Sequence, residues 1–118
     1  MPYIAKGLEH FMNKKYGDGG DVDFVRSVAD APSASVWRRG DRVLNNLNIV
    51  PGTAIATFRE GYFENLLSGG WAALYVSQDS GGLRIMTQFD GLRVHEEMIP
   101  WHASAGDSNT GDKFYVIE

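Results

Sequence analysis

Ala72-Ala73-Leu74-Tyr75-Val76-Ser77-Gln78-Asp79-Ser80-Gly81-Gly82-Leu83-Arg84-Ile85-Met86-Thr87-Gln88-Phe89 holds two apolar-rich runs on either side of a polar, glycine-bearing turn. Ala72 to Ser77 and Leu83 to Phe89 are short and rich in β-formers, and Asp79-Ser80-Gly81-Gly82 supplies the reversal, so the stretch predicts a β-hairpin. Working outward, Asp90-Gly91 is a second tight-turn signal and Leu92 to about Ile99 a third strand. Upstream, Thr53 to Phe58 follows Pro51-Gly52 as another strand; downstream, a polar loop from Gly106 to Asp112 leads to a closing strand, Phe114-Tyr115-Val116-Ile117. The N-terminal third has a different period. Ile4, Leu8, Phe11 and Met12 predict a helix ending near Lys15 and Gly17, and Val22, Val25 and Val28 predict a second that opens near Asp21 and stops at Pro32. Helices first and hairpin-linked strands after predict an α+β domain, with N-terminal helices packed on an antiparallel sheet.

Composition narrows the function classes. The 118 residues are 43% hydrophobic and 22% charged, which predicts a single globular domain over 1–118. There is no cysteine, so disulfides, thiolate metal sites and thiol catalysis are all excluded. The net charge is −4, and Arg38, Arg39 and Arg42, interrupted by Asp41, form the sole basic cluster, which argues against a nucleic-acid partner. No apolar run approaches the roughly 20 residues of a membrane span. Met1 to Lys6 lacks signal-peptide character, so a cytoplasmic protein is expected; a monomer is expected as well.

Three stretches carry a resemblance: Trp37-Arg38-Arg39-Gly40, Pro51-Gly52-Thr53-Ala54-Ile55-Ala56-Thr57-Phe58, and Ala72 to Asp79. They resemble small bacterial papain-like cysteine amidases of the NlpC and CHAP type, including ones associated with type VI secretion. That resemblance, from about Gly17 to Ile117, implies the papain-like amidase fold and cleavage of peptide bonds in peptidoglycan stems. It also implies where a nucleophile, base and orienting residue belong. The cysteine of the family's Gly-Gln-Cys-Val pattern falls on Asp21 in Gly19-Gly20-Asp21-Val22. The histidine before Ala-Ala falls on Trp71, and the orienting acid of a Met-Asp-Gln-Trp pattern on Thr87 in Met86-Thr87-Gln88-Phe89. A thiol route needs a thiolate and an imidazole. A carboxylate is a far weaker nucleophile toward an amide, and indole is neither acid nor base near neutrality.

On that frame, Asp21, Trp71 and Thr87 are expected to converge, with Leu66, Leu67 and Phe89 beside them and Gln88 as a hydrogen-bond partner. A carboxylate, an indole wall and leucines together fit a small planar aromatic ligand. Asp21 would then be a proton-abstracting base, with Gln88 or Thr87 donating to the developing anion, as in a Kemp-type elimination. The coordinated exchange, sparing the scaffold, has the pattern of engineering. The alternative is a natural pseudoenzyme that binds peptidoglycan stem peptides or a protein partner. Simpler readings stand beside these: Asp is a preferred helix cap, and tryptophan is common core filling.

Other constellations carry little. His95 and Glu97 share a strand face, but two ligands make no metal site, and no metal or other cofactor is expected. Ser33, Ser35, Ser68 and Ser104 have no base placed beside them.

Overall fold

The strand pattern is realised almost throughout. In this computed structural model, which describes residues 2–59, 62–63, 70–89, 91–102 and 110–118, the strands are β1 (Arg39–Arg42), β2 (Ala54–Arg59), β3 (Tyr62–Phe63), β4 (Ala72–Asp79), β5 (Gly82–Thr87), β6 (His95–Ile99) and β7 (Phe114–Ile117). One α-helix, α1 (Asp21–Ala29), precedes them. The strands run in the order β1-β7-β2-β4-β5-β6, every pairing is antiparallel, and the two-residue β3 adds to β2. Leu66, Leu67, Ser68, Asp90 and Ser104, with most of the Gly106 to Asp112 loop, lie outside the described residues.

Alternation along the strands divides the core in two. Ala54, Ala56, Ala72, Leu74, Met86 and Ile117 face Phe24, Val25 and Ala29 of α1. Ile55, Ala73, Tyr75, Leu83, Ile85 and Val116 pack on the opposite face with Val43, Ile99 and Trp101. Both faces are buried, so β4 opens with four buried residues in a row. Small alanines let α1 approach the sheet closely, while the larger aliphatics fill the other side.

The hairpin turn forms where it is expected, with the Asp79 carboxylate accepting the Gly81 N–H at 2.7 Å. The first predicted helix, over Ile4 to Lys15, does not form. Tyr3 to Ala5 instead pairs with the backbone around Gly52, as Ala5 N–H donates to Gly52 O (2.9 Å) and Ala54 N–H to Tyr3 O (2.8 Å). Gly7 and Asn13 take left-handed φ values of 74° and 65°, leaving only a single 3-10 turn at Leu8–His10. The apolar residues behind the helical pattern still reach the core: Leu8, Phe11 and Met12 pack against the α1-side cluster. Tertiary pairing overrides local periodicity here. Strand β1, which sequence reasoning missed, is a polar, largely exposed edge strand with no alternation to detect. No helix among the described residues is long and apolar enough to cross a membrane.

Candidate functional site

The N-terminus of α1 is built by a loop that a single glutamine grips. Gln88, fully buried, accepts the Tyr16 N–H through Oε1 (3.0 Å) and donates through Nε2 to Tyr16 O (2.5 Å) and Gly20 O (3.0 Å). Asp18 accepts the Gly20 N–H at 2.7 Å, and Asp23 accepts the Asp18 N–H at 3.0 Å. Gly19 has φ 87° and lies so near Gly91 that a Cβ there would stand 2.7 Å from the Gly91 Cα. The loop therefore has one seating, against the end of β5, and it delivers Asp21 as the first residue of α1.

Asp21 is 2% exposed. Its Oδ2 accepts the Ala72 N–H at 2.6 Å and its Oδ1 the Val22 N–H at 2.9 Å. The capping position itself is Gly20, so the carboxylate bridges α1 to the first residue of β4 rather than acting as the side-chain cap. Burial pushes its pKa up from 3.8 to about 6; the amides of Ala72, Val22 and Asp21 pull the other way, and the nearby Asp18 carboxylate adds a smaller upward push. Desolvation wins because water is almost wholly excluded.

Trp71 reaches this site by its peptide, not by its indole. The Trp71–Ala72 peptide supplies the N–H that Asp21 holds, while the half-buried indole packs against the cluster on the face away from α1 and stacks on Phe89 (centroids 5.5 Å apart, planes 24° apart). The Trp71 backbone is held by Thr57, whose Oγ1 accepts the Trp71 N–H at 3.0 Å. Phe89 in turn meets the edge of His95 at 5.2 Å. Thr87 donates its hydroxyl to Ala72 O at 2.9 Å, so the two ends of residue 72 are held by Asp21 and Thr87 respectively. The donors expected to face a developing anion, Gln88 and Thr87, are both directed at backbone carbonyls. Leu66 and Leu67 lie outside the described residues.

His95 Nε2 stands 3.3 Å from Glu97 and its Nδ1 2.9 Å from Arg93 O. Among the described residues no cluster of three metal-ligating side chains occurs. Sequence reasoning missed Tyr16 and Thr57, whose site contacts are across-chain hydrogen bonds without a local signature.

A family model, Domesticated amidase effector 2, matches residues 9–117. The chain belongs to this family. It is 38% identical over 93 residues to the type VI secretion amidase effector 2 protein of Salmonella typhi, a match spanning 75% of this chain and 68% of that one. Domesticated amidase effector 2 of Ixodes scapularis is 34% identical over 83 residues, spanning 70% of this chain and 56% of that relative. The solved structure of type 6 secretion amidase effector 2 superposes with a TM-score of 0.86 at 28% identity, covering 98% of this chain and 94% of that one. The amidase effector fold thus spans nearly the whole chain, the Asp21 site included.

Proposed function

We propose that this member of the amidase effector family does not cut amides by the thiol route and presents instead a desolvated carboxylate base, Asp21, to a small planar aromatic substrate. The observation that carries the reading is Asp21 itself: 2% exposed, bonded to the Ala72 and Val22 amides, with its pKa raised to about 6. The chain has no cysteine to supply a thiolate. A carboxylate offers about four lone-pair sites, so backbone bonding leaves capacity for a proton. The Trp71–Phe89 stack lies on the sheet face away from α1, so on this reading the substrate meets Asp21 without stacking on that indole. Gln88 and Thr87 serve as positioning residues, holding the loop and the residue 72 backbone against which Asp21 is aligned.

On a benzisoxazole the reaction balances without a cofactor. Asp21 takes the C3 proton, the C–H electron pair forms the nitrile, the N–O bond breaks, and its pair leaves on the phenolate oxygen. Turnover of 5-nitrobenzisoxazole should rise with pH through about 6, because only the ionised carboxylate accepts a proton. Asp21→Asn should lower the rate by about 100-fold or more, while Trp71→Ala, whose indole lies on the other face of the sheet, should change it far less. Turnover equal in Asp21→Asn and the parent would refute the base assignment. Family membership favours a second reading, a non-cleaving protein that still binds a peptidoglycan stem peptide; it requires saturable peptide binding without hydrolysis, and Asp21→Asn should leave that binding largely intact.

A further inference from the structure

The face of the sheet away from α1 carries a half-open cleft of about 300 Å³ that plays no part in the Asp21 site. Ile49, Val50 and Val116 give it apolar walls, and Ile49 and Val116 belong to the side-chain cluster opposite the helix. Asp41, on the exposed edge strand β1, lines the cleft together with Asn46, Asn48 and the C-terminal Glu118. Among the described lining residues there is no lysine, arginine or histidine. The asparagine segment is braced from behind: Gln78 donates to Val43 O (2.9 Å) and Asn46 O (3.0 Å) and accepts the Asn45 N–H (3.0 Å), while Asn46 Oδ1 accepts the Asn48 N–H (3.1 Å). The opposite wall is braced by the Ile4–Thr53 bridge and by the Thr53 hydroxyl, which donates to Val50 O at 2.7 Å.

A concave, preformed, partly apolar site with acceptors at its edge has a definite chemical preference. Anions are disfavoured by the Asp41 carboxylate, and a purely apolar guest would strip water from Asp41 without replacing its hydrogen bonds. A guest with a short alkyl chain and an ammonium head satisfies both halves, because charge-assisted N–H···O bonds form while the chain covers Ile49, Val50 and Val116. We infer that this cleft binds a short alkylammonium group, as carried by a free aliphatic amine or a lysine side chain.

Calorimetric titration of the full chain with n-pentylammonium at low salt should give saturable, one-to-one binding that weakens as salt is added. The neutral isostere n-pentanol should bind at least about tenfold more weakly, since it lacks the charge-assisted bonds. Asp41 is exposed, so Asp41→Asn should fold normally and lose about five- to tenfold in affinity. The exposed Asn48→Trp should fill the cleft and abolish binding, and Asp21→Asn should change nothing. A lysine-containing tripeptide and its N-ε-acetylated form separate a side-chain guest from a free amine. Equal affinity for pentanol and pentylammonium, unchanged affinity in Asp41→Asn, or no saturable heat with the parent protein would each overturn the assignment.

Discussion

At Asp21 two residue-scale effects oppose each other. The helix N-terminus and backbone amides favour the charged form, and burial disfavours it more strongly, so the folded chain binds this proton more tightly than the unfolded chain does. The stability contribution of the protonated group is therefore fully present below the ordinary value of 3.8 and is lost as pH rises through about 6. A shift of this size corresponds to about 3 kcal/mol between the two protonation limits. Denaturant unfolding at pH 4 and at pH 8 should show that loss in the parent chain and a much flatter profile in Asp21→Asn, where no charge develops. A parent profile as flat as the variant's would mean that water reaches the carboxylate in solution. The opening of a helix at Asp21 is legible in the sequence, because valines at helical spacing follow it. The Ala72 partner is not, since a carboxylate meeting an amide 51 residues away leaves no local trace.

At the scale of elements, the hairpin and the edges of the sheet read differently. Ala72 to Ser77 and Leu83 to Phe89 were recognisable because apolar runs and a glycine turn coincide; the turn sets the register of β4 on β5 from Asp79 back to Ser77, and an irregularity between Tyr75 and Ser77 shifts it by one beyond. The side-chain direction at Trp71 was not recognisable. Trp71 stands immediately before β4, so its orientation depends on the packing offered by each face, and the indole joins the larger-residue side. The N-terminal segment fails for a related reason: its apolar spacing fits a helix, but Gly52 and Ala54 offer it backbone pairing. Gln88 joins elements that no periodicity links. Gln88→Ala would leave the Tyr16 N–H and the Tyr16 and Gly20 carbonyls without these partners, and should lower stability by about 1–3 kcal/mol. The midpoint of urea unfolding should fall with little change in slope, and an unchanged midpoint would show that water replaces the amide freely.

For the whole molecule, the amidase effector fold is carried by a chain that has no cysteine. The frame was legible: the Gly52 to Phe58 and Ala72 to Asp79 stretches reveal it, while the composition shows only that no thiol is available. Purified protein should release no new amine from peptidoglycan stem peptides, measured against a chain carrying Asp21→Cys, Trp71→His and Thr87→Asp together. Some hydrolysis should return in the triple variant if residues 21, 71 and 87 are the family's catalytic positions. Hydrolysis by the parent that survives stringent purification would place the chemistry elsewhere.

The N–H and C=O of residue 72 belong to two peptides, one held by Asp21 and the other by Thr87, and the first is a reporter built into the backbone. A hydrogen bond of 2.6 Å to a carboxylate deshields the amide proton, so the Ala72 resonance should lie well downfield of its neighbours when Asp21 is ionised. Protonating the carboxylate weakens that bond and should carry the resonance upfield. The charge state of the buried acid can thus be followed in the resting protein, from one backbone signal, with no substrate added.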